Sequence, residues 1–200
     1  AVYDYDYYIN KYPDLKNVYG NDKNAAFEHF IKYGMAEGRQ ANATFNVIAY
    51  KNRYSDLRNL YGNNLKDYYA HYIKYGQKEG RIATGDNIPI QNTTTVYNGV
   101  DYSAVYDFNY YIEHYNDIKQ LYEYDDKAAI QHFVKYGMAE GRQAKDNFNV
   151  FSYKNRYADL RIAYGNDIES YYMHYIKYGK NEGRIANGDI TIQNPITVYN

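Results

Sequence analysis

The sequence predicts a mainly α fold: tandem short-helix repeats, four units in two homologous pairs, with extended, partly β-like connectors. Three observations predict it. The chain aligns with itself, its apolar residues recur at helical spacing, and Asp, Pro and Gly punctuate it at fixed offsets. The self-alignment has two periods. A shift of about 103 residues places Val2–Asp86 on Val105–Asp189, with well over half the positions identical. A shift of about 42 residues carries Tyr12, Asp14, Leu15, Tyr19, His29, Gly34, Glu37 and Arg39 onto Tyr54, Asp56, Leu57, Tyr61, His71, Gly76, Glu79 and Arg81. The units are 3–41, 45–83, 106–144 and 148–186. The domain reading is a first repeat pair at 1–86, an extended connector at 87–104, a second pair at 105–189 and an extended tail at 190–200. Units this small need neighbours to bury a continuous core.

Within a unit the elements follow in order. Asp4 is placed to cap a first helix, "YDYYINKY". Pro13 suits the first turn of a second, "PDLKNVY", because its missing N–H has no intrahelical partner there anyway. Gly20 fits the left-handed position after it, and Asp22 caps a third helix, "KNAAFEHFIKY", which Gly34 ends in the same way as Gly20. Ala26, Phe27, Phe30 and Ile31 form one apolar stripe facing a core, kept in the second unit as Tyr68, Tyr69, Tyr72 and Ile73. Between the pairs, "GDNIPIQNTTTVYNGVDYS" loses the helical period and gains β-branched residues, as does the closing "NGDITIQNPITVYN". Both read as extended connectors with room for short strands, and Pro89 and Pro195 argue against a central one.

Composition narrows the function. Charge is balanced at 23 basic and 24 acidic residues. That withholds the basic groove a nucleic acid requires. There is no Cys, so neither disulfides nor thiolate metal sites are possible. No apolar run is long enough to span a bilayer, and "AVYDYDYYIN" lacks the regions of a signal peptide. "TVYN" ends both the connector phrase at Asn98 and the chain at Asn200, a phasing that suggests a segment of a longer, multidomain array.

The recurring polar residues define the candidate site. His29/Tyr33, His71/Tyr75, His132/Tyr136 and His174/Tyr178 stand at i, i+4 and share a helix face. Each pair is either a structural imidazole hydrogen bond or a ligand-facing aromatic-plus-imidazole site. One good ligand per pair does not make a metal centre. Arg39, Arg81, Arg142 and Arg184 each recur with an acidic partner, Asp14, Asp56, Asp117 and Asp159. The pairs read as a lock between the second helix and the closing turn, or as guanidinium forks for a sugar carboxylate or phosphate. Four equivalent Asp14/Glu37-type pairs argue against one glycosidase centre, and no catalytic residues or cofactor are expected. The 31 Tyr and 7 Phe, with no Trp, exceed what one narrow stripe can absorb. Adjacent rings such as Tyr8, Tyr68, Tyr111 and Tyr171 therefore join the candidates as platforms for sugar faces, or else tile a wet helical interface.

The pattern "YPDL…YG…HFIKYGMAEGR", with the joining phrase "VYNGVDYSAVYDFNYYI", resembles a Tyr-rich tandem repeat of bacterial surface and secreted proteins. Such repeats are appended to cell-wall lysozymes, amidases and other polysaccharide-acting enzymes of Gram-positive gut bacteria. The likeness covers nearly the whole chain and assigns no binding residues. The third unit departs from it at Asn116, in place of Pro13, and at Glu123, in place of Gly20. The resemblance implies a non-catalytic, extracellular module that attaches to cell-wall or other polysaccharide. The alternative is a structural spacer or protein-interaction array with no glycan binding.

Overall fold

The computed structural model describes residues 1–188. It is mainly helical, and the chain divides into two units, Ala1–Asn92 and Thr93–Asn200. The tail at 190–200, Pro195 included, lies outside the described residues.

The first unit holds α1 (Tyr5–Lys11), α2 (Pro13–Tyr19) and α3 (Lys23–His29), with a π-helical turn at Phe30–Gly34. Its second repeat holds α4 (Val47–Arg53), α5 (Ser55–Tyr61) and α6 (Leu65–His71), with a π-helical turn at Tyr72–Gly76. The second unit opens with a hairpin of β1 (Val96–Tyr97) and β2 (Val100–Asp101). Then come α7 (Phe108–His114), α8 (Asn116–Tyr122) and α9 (Asp126–His132), with a π-helical turn at Phe133–Gly137. It closes with α10 (Val150–Arg156), α11 (Ala158–Tyr164) and α12 (Ile168–His174), and a π-helical turn at Tyr175–Gly179.

Each α-helix is seven residues long, shorter than an isolated helix can sustain in water. Capping and packing hold them. Asp4 and Asp22 accept backbone N–H groups of Tyr7 and Ala25, as expected, and Pro13 starts α2. The break between α1 and α2 does not depend on that proline. Tyr12 is extended, and so are Tyr54, Tyr115 and Tyr157, which precede Ser55, Asn116 and Ala158. Long-range bonds hold the break instead: the Tyr12 hydroxyl accepts Gln40 N–H at 2.8 Å and the Tyr54 hydroxyl accepts Ile82 N–H at 2.7 Å. Each repeat is closed end to end by one further bond, Asp4 N–H to the Ala41 carbonyl in the first and Asn46 N–H to Ala83 in the second.

The core of the first unit spans both of its repeats, from Val2, Tyr8 and Phe30 to Phe45, Tyr50 and Tyr69. Tyr69 joins them, with its ring 5.6 Å from Phe30 and its hydroxyl 2.8 Å from the Arg39 carbonyl. Tyr172 does the same in the second unit, against Phe133 and Arg142. Two expectations need correction. Ala26 and Phe30 are buried, but Phe27 and Ile31 are exposed, as is Ile73; the stripe is narrower than the spacing implied. Gly34 is not left-handed. The helix widens through it, and the left-handed residue is Gly38, at φ +73°. Gly20 does take a positive φ of +48°, whereas Glu123 at the same place in the third repeat is right-handed helical, so that turn takes another path.

The connector carries short strands, as expected, and they pair as a hairpin. Asn98 and Gly99 both have positive φ. That is the primed-turn geometry that closes a two-residue hairpin, here with Tyr97 paired to Val100. Residues 88–92 pack back on the second repeat. Asn52 donates to the Ile88 carbonyl at 2.7 Å, and buried Arg58 donates to the carbonyls of Lys51, Asn52 and Gln91. The first repeat carries Lys16 where the second carries Arg58, and only the second has a connector to hold.

Arg58→Met should therefore cost about 1–3 kcal/mol, because buried carbonyls lose their donors. Lys16→Met, at an exposed position, should stay within about 0.5 kcal/mol of the parent. Urea unfolding of the two variants checks the difference.

Candidate functional site: a fourfold tyrosine–histidine cluster

In each repeat a buried tyrosine of the first helix reaches the histidine that ends the third. Tyr8 Oη lies 3.1 Å from His29 Nδ1, Tyr50 2.9 Å from His71, Tyr111 3.0 Å from His132 and Tyr153 2.9 Å from His174. Close approach to a glycine makes room for the hydroxyl. A Cβ on Gly34 would stand 2.5 Å from Tyr8 Oη, and one on Gly137 2.7 Å from Tyr111 Oη. The π-helical turn runs through the same place, with Met35 N–H bonded five residues back to the Phe30 carbonyl at 2.8 Å. Wide turns of this kind are often found at functional sites.

Two more rings flank each imidazole. Tyr19 and Tyr33 lie 5.4 and 5.5 Å from His29, and Tyr61 and Tyr75 lie 6.0 and 5.6 Å from His71. Tyr122 and Tyr136 lie 5.7 and 5.4 Å from His132, and Tyr164 and Tyr178 lie 6.0 and 5.6 Å from His174. The outer ring is open to solvent: Tyr33 is 47% exposed, Tyr75 45%, and Tyr136 and Tyr178 57% each. Lys32 sits 5.1 Å from the Tyr33 ring centre and Lys74 5.0 Å from that of Tyr75.

Burial pushes the Tyr8, Tyr50, Tyr111 and Tyr153 hydroxyls well above the ordinary phenol range, so each keeps its proton. Burial, then the nearby Arg142 and Arg184, lowers His132 and His174, which favours neutral imidazole. Phenol hydroxyl and imidazole Nδ1 share one hydrogen bond, which holds the ring in place whichever tautomer it adopts. The outer tyrosine is thus packed against a ring of fixed orientation.

Of the sequence-derived candidates, the four His–Tyr pairs come together as expected. Tyr8, Tyr68, Tyr111 and Tyr171 do not serve as platforms: all four are buried. They occupy two different positions of the repeat. Tyr8 and Tyr111 seat the imidazoles, while Tyr68 and Tyr171 donate to the carbonyls of Gly62 and Gly165 at 2.7 and 2.9 Å. Tyr50, Tyr153, Tyr19, Tyr61, Tyr122 and Tyr164 complete the clusters and were missed. The repeat register pointed to them, since each aligns with a cluster residue of another unit.

The arginines are engaged by the fold. Arg39 bonds Asp14 at 2.8 Å and Glu37 at 2.5 Å, with its guanidinium 4.9 Å from the Tyr12 ring centre. Arg81 does so with Asp56 and Glu79, Arg142 with Asp117 and Glu140, and Arg184 with Asp159 and Glu182. This is the lock between second helix and closing turn. Among the described residues there is no group of three or more metal-ligating side chains, and no helix long and apolar enough to cross a membrane. Comparison with known proteins finds no matching family model, curated protein or solved structure.

Two outcomes follow from this geometry. Gly34→Ala should destabilise the chain by about 1–3 kcal/mol, through overpacking. In a Tyr8→Phe background the cost should shrink, because the hydroxyl that the new methyl meets is gone; thermal unfolding of the four-member cycle reads the coupling. The hydrogen bond from Arg39 lowers the Asp14 pKa, and that from Arg81 lowers Asp56. A depressed folded-state pKa means that the ionised carboxylate stabilises above the unfolded value, about 3.9. The gain is lost as pH falls through the lower folded value. Asp14→Asn and Asp56→Asn should lower Tm at pH 7, and the gap to the parent should close below about pH 4, as read by calorimetry across pH.

Proposed function

We propose that the chain is a non-catalytic module that binds polysaccharide, with bacterial cell wall as the leading class, and that it works outside the cell. The observation that carries the reading is the fourfold recurrence of a half-exposed tyrosine packed on an oriented imidazole. A sugar presents C–H groups on one face and hydroxyls at its rim. A phenol ring matches the first, a phenol hydroxyl and an imidazole nitrogen match the second, and a ring already packed loses little entropy on binding. Four equivalent weak sites suit a polymer of repeating chemistry, because linked binding events multiply when the ligand spans them. The resemblance to repeats of wall-acting enzymes points the same way.

Extracellular attachment, a Gram-positive source and membership of a larger multidomain protein belong to this proposal. A spacer or protein-interaction array is the second reading. It is favoured by how fully the arginine lock and the buried tyrosines are committed to folding.

Co-sedimentation with insoluble bacterial wall and with insoluble glucans tests the choice. The parent chain should be retained. Replacing Tyr33, Tyr75, Tyr136 and Tyr178 together by Ala should abolish retention, while single replacements should weaken it by about tenfold or less. Retention by no polymer would leave the array reading in place.

A further inference from the structure

Two cationic residues recur unchanged in all four repeats, and the lock uses only one of them. Arg39, with its counterparts Arg81, Arg142 and Arg184, is held by two carboxylates. A guanidinium so engaged does not clamp an acidic sugar. The other cation is the lysine before each outer tyrosine: Lys32, Lys74, Lys135 and Lys177. All four are exposed, and among the described residues none of them forms an ion pair. Glu28, one helical turn before Lys32, is not paired with it and becomes Ala70, Gln131 and Met173 in the other repeats. Three places after the lysine stand Met35, Gln77, Met138 and Lys180, so the sequence around it varies while the lysine does not.

The lysine takes two arrangements. In the first unit Lys32 and Lys74 lie over the Tyr33 and Tyr75 rings, which are 47% and 45% exposed. In the second unit neither Lys135 nor Lys177 lies over a ring among the described residues, and Tyr136 and Tyr178 are each 57% exposed. The ammonium thus partly covers the face on which a sugar would stack, and its flexible stem lets it leave. A neutral sugar that takes the ring face displaces the ammonium from the ring and offers no charge in return. A sugar with an anion beside its stacking face takes the ammonium into a charge-assisted hydrogen bond instead.

We propose that the four outer tyrosine sites select an anionic polysaccharide, bearing carboxylate or phosphodiester groups, and that the preceding lysine reads that charge. This rests on the polysaccharide-binding reading and narrows its ligand. A single exposed pair contributes little in water and is screened by salt. Four of them along one polymer add up to selectivity.

Replacing Lys32, Lys74, Lys135 and Lys177 together by Gln tests it. The control replaces the exposed Lys16, Lys78, Lys119 and Lys127 instead, with the same change in net charge. In co-sedimentation with insoluble bacterial wall, the first variant should lose about tenfold or more in retention. The control should stay within about twofold of the parent. Soluble competitors name the anion: polygalacturonate displaces the parent from the wall if carboxylate is read, and poly(glycerol phosphate) if phosphodiester is read. Methyl-esterified polygalacturonate and dextran should need about tenfold more than the effective acid. Full retention of the first variant would overturn the proposal, as would equal losses in both variants. So would displacement by neither acidic polymer, displacement by the uncharged polymers just as readily, or retention of the parent by glucan alone. In each of those cases a loss on replacing the four outer tyrosines still upholds the binding reading, whereas a parent chain that no polymer retains defeats both.

Discussion

The hydrogen bond between a buried tyrosine hydroxyl and a histidine Nδ1 is the constraint on which each repeat depends. A phenol sealed in a core must find a partner for its hydroxyl, and here the partner is an imidazole 21 residues further along. That bond draws the first helix against the end of the third. It requires a residue without a side chain at Gly34, where the hydroxyl meets the helix backbone. The chain bulges into a π-helical turn at the same point, and the bulge carries Tyr33 onto the histidine's other side. Histidine, glycine and outer tyrosine therefore recur together because one contact geometry demands all three. The arginine lock closes the same repeat from its far end, tying the turn after Gly38 back to Asp14 on α2. The inner tyrosine serves the fold, and the outer one stays half-exposed at the surface.

Much of this was legible in the sequence, for physical reasons that can be named. Asp4, Asp22 and Pro13 act locally, through backbone groups within a turn, so their roles follow from position alone. The Asp14–Arg39 pair was legible because it recurs with the same separation in four copies. The tyrosines were not sorted correctly. Which face of a seven-residue helix is buried depends on what packs there, and helical spacing alone cannot separate Tyr8, sealed at the centre, from Tyr33, open to solvent. Gly34 was misread for the same reason. A glycine after a helix normally supplies a left-handed residue, but here the demand is for space beside a side chain distant in sequence. The hairpin turn at Asn98-Gly99 had a local signal that was overlooked.

The differences between repeats say as much as the identities. Odd repeats carry Ala26 and Ala129 where even repeats carry Tyr68 and Tyr171, and Phe30 and Phe133 where even repeats carry Tyr72 and Tyr175. Small residues in one repeat and rings in the next are how facing surfaces interdigitate. Tyr69 and Tyr172 make the asymmetry explicit: each lies in an even repeat and bonds a carbonyl of the odd repeat before it, at Arg39 and Arg142. The even repeats alone carry Arg58 and Arg161 for the backbone at the end of α4 and α10. The pair of repeats, not the single repeat, is thus the unit that buries a complete core. This explains why the longer period is the better conserved within the chain. Copies separated by one repeat must differ to fit each other, whereas copies separated by a pair face the same neighbours and are free to stay alike.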